Sequence, residues 1–130
     1  MIELGTKGRK KTTVTADDTA LAMGSGTLEV FATPAMCALM EGACAESIAP
    51  YLENGQTTVG TALDIKHLAA SPIGIKVWAE STVTDIDRKA ITFSVEVFDE
   101  AGKIGEGTHG RFIVESDRFL DKAQSKLEAN

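Results

Sequence analysis

Aromatic side chains are scarce in this chain: five Phe, one Trp and one Tyr among 130 residues. A core must therefore be assembled from Val, Ile, Leu, Ala and Met. Long apolar runs are missing too. Nothing approaches the roughly 18 residues that a membrane helix needs, and the opening "MIELGTKGRKK" lacks the apolar stretch of a secretory signal. Basic residues are outnumbered, 13 Lys and Arg against 19 Asp and Glu, for a net charge of −6. That balance argues against broad nucleic-acid binding, which needs a basic surface. The one basic run, Lys7, Arg9, Lys10 and Lys11, reads as the solvated start of a strand. There are only two cysteines, Cys37 and Cys44. On a single helix their spacing is about 10.5 Å of rise, beyond the roughly 7 Å between Cα atoms that a disulfide spans. They read as reduced, small apolar fillers, which suits the cytoplasm.

What the chain does have is enough length for one core and a change of hydrophobic period along it. The segment "ATPAMCALMEGACAESIAP", residues 32–50, opens with Thr33-Pro34, read as an N-cap followed by proline at the first helical position. It closes at Pro50. Met36, Leu39, Met40, Cys44 and Ile48 form a broad apolar arc, and Ala35, Ala38, Gly42 and Ala45 keep the rest of the circumference small. Such a helix is expected to be enclosed by a sheet.

Before it, "KKTTVTADD" reads as a strand, "TALAMGSG" as a loop or short helical turn, and "GTLEVFAT" as a second strand. After Pro50 the period becomes two. "QTTVGTALDIKHL" places Val59, Thr61, Leu63, Ile65 and His67 on one face. "IKVWAESTVTDI", "AITFSVEVFDE" and "IGEGTHGRFIVES" follow as strands, with Ile91, Phe93, Val95 and Val97 aligned. Short connections predict antiparallel pairing between each neighbouring pair of these four strands. "DRFLDKAQSKL" reads as a partly exposed amphipathic helix. The order defines an α+β domain spanning residues 1–130: one long helix across a curved antiparallel sheet of five to six strands.

Three chemically useful residues stand in apolar or small surroundings: Thr33, Glu41 and His67. Each has an ordinary reading, respectively a helix cap, a solvated or lysine-paired carboxylate, and a strand-end histidine. Together they supply a hydroxyl, an acid and an imidazole. The start of a helix adds N–H groups carrying partial positive charge. These are the parts of an acyl-transfer site. A metal site built from His67, His109 and a cysteine is disfavoured by spacing.

The segments "ATPAMCALMEGA", "TTVGTALDIKHLAASPIG" and "GEGTHGRFIV" resemble the hot-dog fold thioesterases, specifically the fluoroacetyl-CoA thioesterase-like branch, over roughly Val14 to Phe119. The shared pattern is a Thr-Pro helix start, a Glu eight residues after the Thr, and a His twenty-six residues after the Glu. The resemblance implies catalytic roles for Thr33, Glu41 and His67, with Gly60 offering a backbone N–H near the thioester carbonyl and Arg111 meeting CoA. Gly110 departs from the bulkier polar residue of the family pattern. The resemblance also implies an acyl-CoA substrate, no cofactor or metal, and a homodimer or dimer of dimers pairing edge strands. The expected activity is hydrolysis of a short-chain acyl-CoA. The rival is a non-catalytic hot-dog module that holds a CoA ester or small hydrophobic ligand. A hydratase on this fold ranks lower, because no Asp–His pair stands at suitable spacing within one helix.

Overall fold

The computed structural model describes residues 1–128. Five strands, β1 (Lys7–Thr13), β2 (Gln56–His67), β3 (Lys76–Asp87), β4 (Ala90–Asp99) and β5 (Gly102–Glu115), form one antiparallel sheet in the order β1-β3-β4-β5-β2. A four-residue helix α1 (Ala20–Met23) precedes the long helix α2 (Thr33–Ile48), and α3 (Ser116–Gln124) ends the described chain.

Helix α2 lies against the sheet as its periodicity predicts. Met36, Leu39, Met40, Ala43, Cys44 and Ile48 are buried, facing Val77, Ala79, Ile91, Phe93, Val95 and Val97. Burying each large aliphatic side chain contributes roughly 1.5–3 kcal/mol. Gly8 lets β1 press onto the helix: a Cβ there would stand 2.6 Å from the Ala43 carbonyl oxygen, the Ser47 Cβ and the Ser81 Oγ. Both cysteines are free thiols, Cys44 buried and Cys37 half-buried, and burial pushes the Cys44 pKa up to about 12.

The sheet encloses only one side of α2. Ala38 is exposed and Ala35, Gly42 and Ala45 are half-buried, so the small-residue side of the helix is open within one chain.

Some expectations about individual segments are corrected. "GTLEVFAT" forms no strand; it makes only the isolated bridges Thr19–Phe31 and Val30–Pro72, and Leu28 stays 65% exposed. Strands β2 and β3 are not neighbours. Residues 68–75 cross from one edge of the sheet to the other, and β1 occupies the free side of β3. The hairpins β3–β4 and β4–β5 pair as expected. Within β2 the register shifts between Gly60 and Ala62, a bulge. An inserted residue reverses the side-chain alternation. Thr58 is therefore buried ahead of the bulge, while Leu63, Ile65 and His67 turn inward after it. The single face from Val59 to His67 is broken there. Helix α3 buries no residue, leaving Phe119 and Leu120 exposed.

Candidate active site

Thr33 starts α2, but it is not the cap. Ala32 holds the extended cap conformation (φ −75°, ψ 143°) and its carbonyl accepts from the Met36 N–H, so Thr33 is already helical. Its hydroxyl is thereby released from capping and meets the imidazole of His67, with Oγ1 and Nδ1 2.8 Å apart. Pro34 has no N–H, and the N–H groups of Thr33 and Ala35 have no backbone acceptor among the described residues. These donors sit at the positive end of the helix dipole.

Several bonds fix the pair. The Ala32 N–H donates to the Asp18 carbonyl and the Phe31 N–H to the Ser71 carbonyl, which sets the entry of the helix. Ser71 is held in turn: its hydroxyl donates to Asp99 Oδ2 at 2.8 Å, while Asp99 Oδ1 accepts from the N–H groups of Ala101 and Gly102. At the end of β2 the Leu68 N–H bonds the Ile104 carbonyl, so His67 projects from a tethered strand end. Phe31 meets the His67 ring edge-on at 6.5 Å.

Burial pushes the His67 imidazole below its ordinary pKa, with the Ala69 backbone opposing in part. The ring is thus held neutral near pH 7. Among the described residues its Nε2 is enclosed without a hydrogen-bond partner. A cavity of about 380 Å³ opens beside the pair, lined by Ala20, Ser25, Phe31 and Ala69 as well as Thr33 and His67.

Glu41 lies elsewhere in the protomer. It is eight residues along α2 from Thr33, about 12 Å of helical rise, and it makes no hydrogen bond to His67. Its surroundings are Gly60, His109 and Arg111. A Cβ on Gly60 would stand 3.0 Å from Glu41 Oε2, 3.2 Å from His109 Cε1 and 3.5 Å from Arg111 Nη1, so the absent side chain is what makes room for this corner. Arg111 is half-buried and its guanidinium is engaged within the protein. Nε donates to Thr58 Oγ1 at 2.8 Å, Nη2 to the Thr58 carbonyl at 2.9 Å, and Nη1 to His109 Nε2 at 3.2 Å. His109 Nδ1 donates to the Ala62 carbonyl at 2.7 Å.

The expected site residues therefore fall into two groups, Thr33 with His67 and Glu41 with Gly60 and Arg111. Thr58 and His109 were not anticipated as members of the second. The spacing that puts His109 two residues before Arg111, on the same face of β5, was the available signal. Among the described residues no group of three His, Cys, Asp or Glu side chains could hold a metal ion.

A long helix seated against a five-stranded antiparallel sheet is the architecture of the hot-dog fold thioesterases. Residues 14–117 match the family described as fluoroacetyl-CoA-specific thioesterase, and the chain belongs to that family. It is 38% identical over 101 residues to the fluoroacetyl-CoA thioesterase of Streptantibioticus cattleyicolor, covering 78% of this chain and 73% of that protein. A solved structure of the fluoroacetyl-CoA thioesterase FlK matches with a TM-score of 0.93 at 30% identity, over 97% of this chain and 98% of that one. A point mutant of FlK in complex with fluoroacetate and CoA matches at 0.87 and 31% identity, over 91% and 99%. A thioesterase superfamily member from Thermus thermophilus matches at 0.90 with 26% identity, over 100% and 98%.

Proposed function

We propose that the protein hydrolyses a short-chain acyl-CoA thioester to the free acid and CoA, using Thr33 and His67 at the start of α2. The observation that carries this reading is the 2.8 Å Thr33–His67 contact beside an open cavity of about 380 Å³. A neutral His67 accepts the Thr33 proton at Nδ1 as Oγ1 attacks the thioester carbon, or holds Thr33 so that the hydroxyl orients the carbonyl for water. In either route the C–S bond breaks, a proton passes to the departing CoA thiolate, and water supplies the new acid oxygen. The N–H groups at the helix start favour the negative charge that develops on the carbonyl oxygen. A thioester is already activated, so one positioned acid–base group, worth about 10²–10⁴-fold, is a large part of what is needed.

The remaining parts come from a second copy of the chain. Strand β2 is a 12-residue edge, and long bare edges are normally covered. Glu41, on α2, lies beside Gly60 of that edge. Antiparallel pairing of two β2 edges brings a second copy's Glu41 and Gly60 toward the Thr33–His67 pair. In this arrangement the acid orients His67 or activates water, the Gly60 N–H approaches the thioester carbonyl, and Arg111 lies near bound substrate. The setting we assign is cytoplasmic, in keeping with the two unpaired cysteines.

A panel of acyl-CoA substrates, read by release of free thiol, tests the activity. Parallel measurement of particle mass and specific activity on dilution tests the shared site. Activity should fall as monomers appear. A fully active monomer would remove the second copy from the mechanism, and no thiol release with any acyl-CoA would leave only a binding module.

A further inference from the structure

His109 is 1% exposed, and no step of the proposed hydrolysis uses it. Its ring stacks on Phe93 at 6.2 Å. Space-filling alone would need only that stacking, yet both ring nitrogens are engaged. Nδ1 gives its proton to the carbonyl of Ala62, the residue that follows the β2 bulge, and Nε2 accepts from Arg111 Nη1. Arg111 has no lone pair to offer, so Nε2 must be bare and the ring neutral. Burial and the adjacent guanidinium both push the imidazole below its ordinary pKa, in agreement with that assignment.

We propose that His109 is a positioning residue, whose Nε2 lone pair sets the guanidinium of Arg111 in the corner shared with Glu41 and Gly60. Thr58 takes Nε and one N–H of Nη2, and His109 takes one N–H of Nη1. Three of the five guanidinium N–H groups are thereby fixed in direction, and the other two are aimed by the rigid plane. Without the Nε2 acceptor the guanidinium keeps only its attachment to Thr58 and can pivot about it. The bulge links this arrangement to the substrate edge, because the carbonyl that orients His109 belongs to the strand turn bearing Gly60.

The inference rests on the acyl-CoA thioesterase reading, and a double-mutant cycle tests it. His109→Phe keeps the ring and its stacking but removes both hydrogen bonds. It should lower kcat/KM roughly 10–100-fold, as expected for a misplaced site group. His109→Gln, whose amide oxygen can accept from Arg111, should recover part of the loss. In an Arg111→Met background, His109→Phe should cost less than about twofold, since effects of coupled residues are not additive. Equal losses in both backgrounds, or a Gln variant no better than Phe, would overturn the proposal. Long-range ¹H–¹⁵N NMR of the unmutated protein gives a reading free of turnover and of mutant folding: the His109 proton should sit on Nδ1. An Nε2–H tautomer would overturn the proposal. Absent hydrolysis with an Nδ1–H ring would sink only the thioesterase reading.

Discussion

Replacing Thr33 by valine separates a chemical hydroxyl from a structural one. Valine keeps the branched shape and removes only the oxygen that meets His67 Nδ1 at 2.8 Å. A threonine that capped α2 would lose about 1 kcal/mol on such a change. Here the cap is Ala32, and Thr33 is exposed and makes no cap bond. The stability change should be that of losing one hydrogen bond at an exposed hydroxyl, about 0.5–1 kcal/mol. For a domain of this size that is about 2–5 °C in Tm. Turnover should behave differently: losing the hydroxyl that works with His67 should lower kcat/KM by about 10²–10⁴-fold, or about 3–5 kcal/mol of barrier. The measurements are thiol release under kcat/KM conditions and a thermal melt on the same preparation. Activity within about threefold of the parent would refute the role of Thr33. A melt lowered by more than about 5 °C would return the hydroxyl to a structural task.

Three further outcomes are expected. The acid limb of the pH–kcat/KM profile should fall below the ordinary histidine value near 6.5, because burial lowers the His67 pKa, and His67→Ala should abolish that limb; an unchanged profile would exclude His67 as the base. The same shift has a stability sign. His67 and His109 both have depressed pKa values when folded, so the unfolded chain takes up protons first as pH falls below about 6.5. Stability present above that pH should then be lost progressively toward the folded pKa values, which denaturant titrations at several pH values would read. Gly60→Ala should place a Cβ 3.0 Å from Glu41 Oε2 and 3.2 Å from His109 Cε1. Neighbours yielding by a few tenths of an ångström should cost about 1 kcal/mol, with a larger fractional loss of kcat/KM. Full activity in the folded variant would detach this corner from the reaction.

How much of this was legible in the sequence varies by element. The burial of α2 followed from period alone, since each of Met36, Leu39, Met40, Cys44 and Ile48 falls where 100° per residue puts it and each is buried. The inward row Ile91, Phe93, Val95 and Val97 followed from alternation in the same way. Strand β2 defeated that reasoning. A bulge adds one residue without any mark in the hydrophobic pattern, and it moved Val59 and Thr61 off the face shared by Leu63, Ile65 and His67. The cap of α2 falls one residue earlier than the Thr-Pro signal suggests, at Ala32, and the Thr33 hydroxyl bonds His67 and not the helix backbone.

The sequence by itself determined the fold class, the helix that fills the sheet, and the residue types available for acyl transfer. Period and composition encode burial locally, and burial is what those features record. Only the tertiary structure decided which of those residues meet. It joined Thr33 to His67 across thirty-four residues, and it set Glu41 with Gly60, His109 and Arg111 instead. The physical reason is that contact depends on the strand order β1-β3-β4-β5-β2 and on the register of β2 against β5. Both are set by the packing of the whole sheet, not by any stretch of chain short enough to carry a pattern.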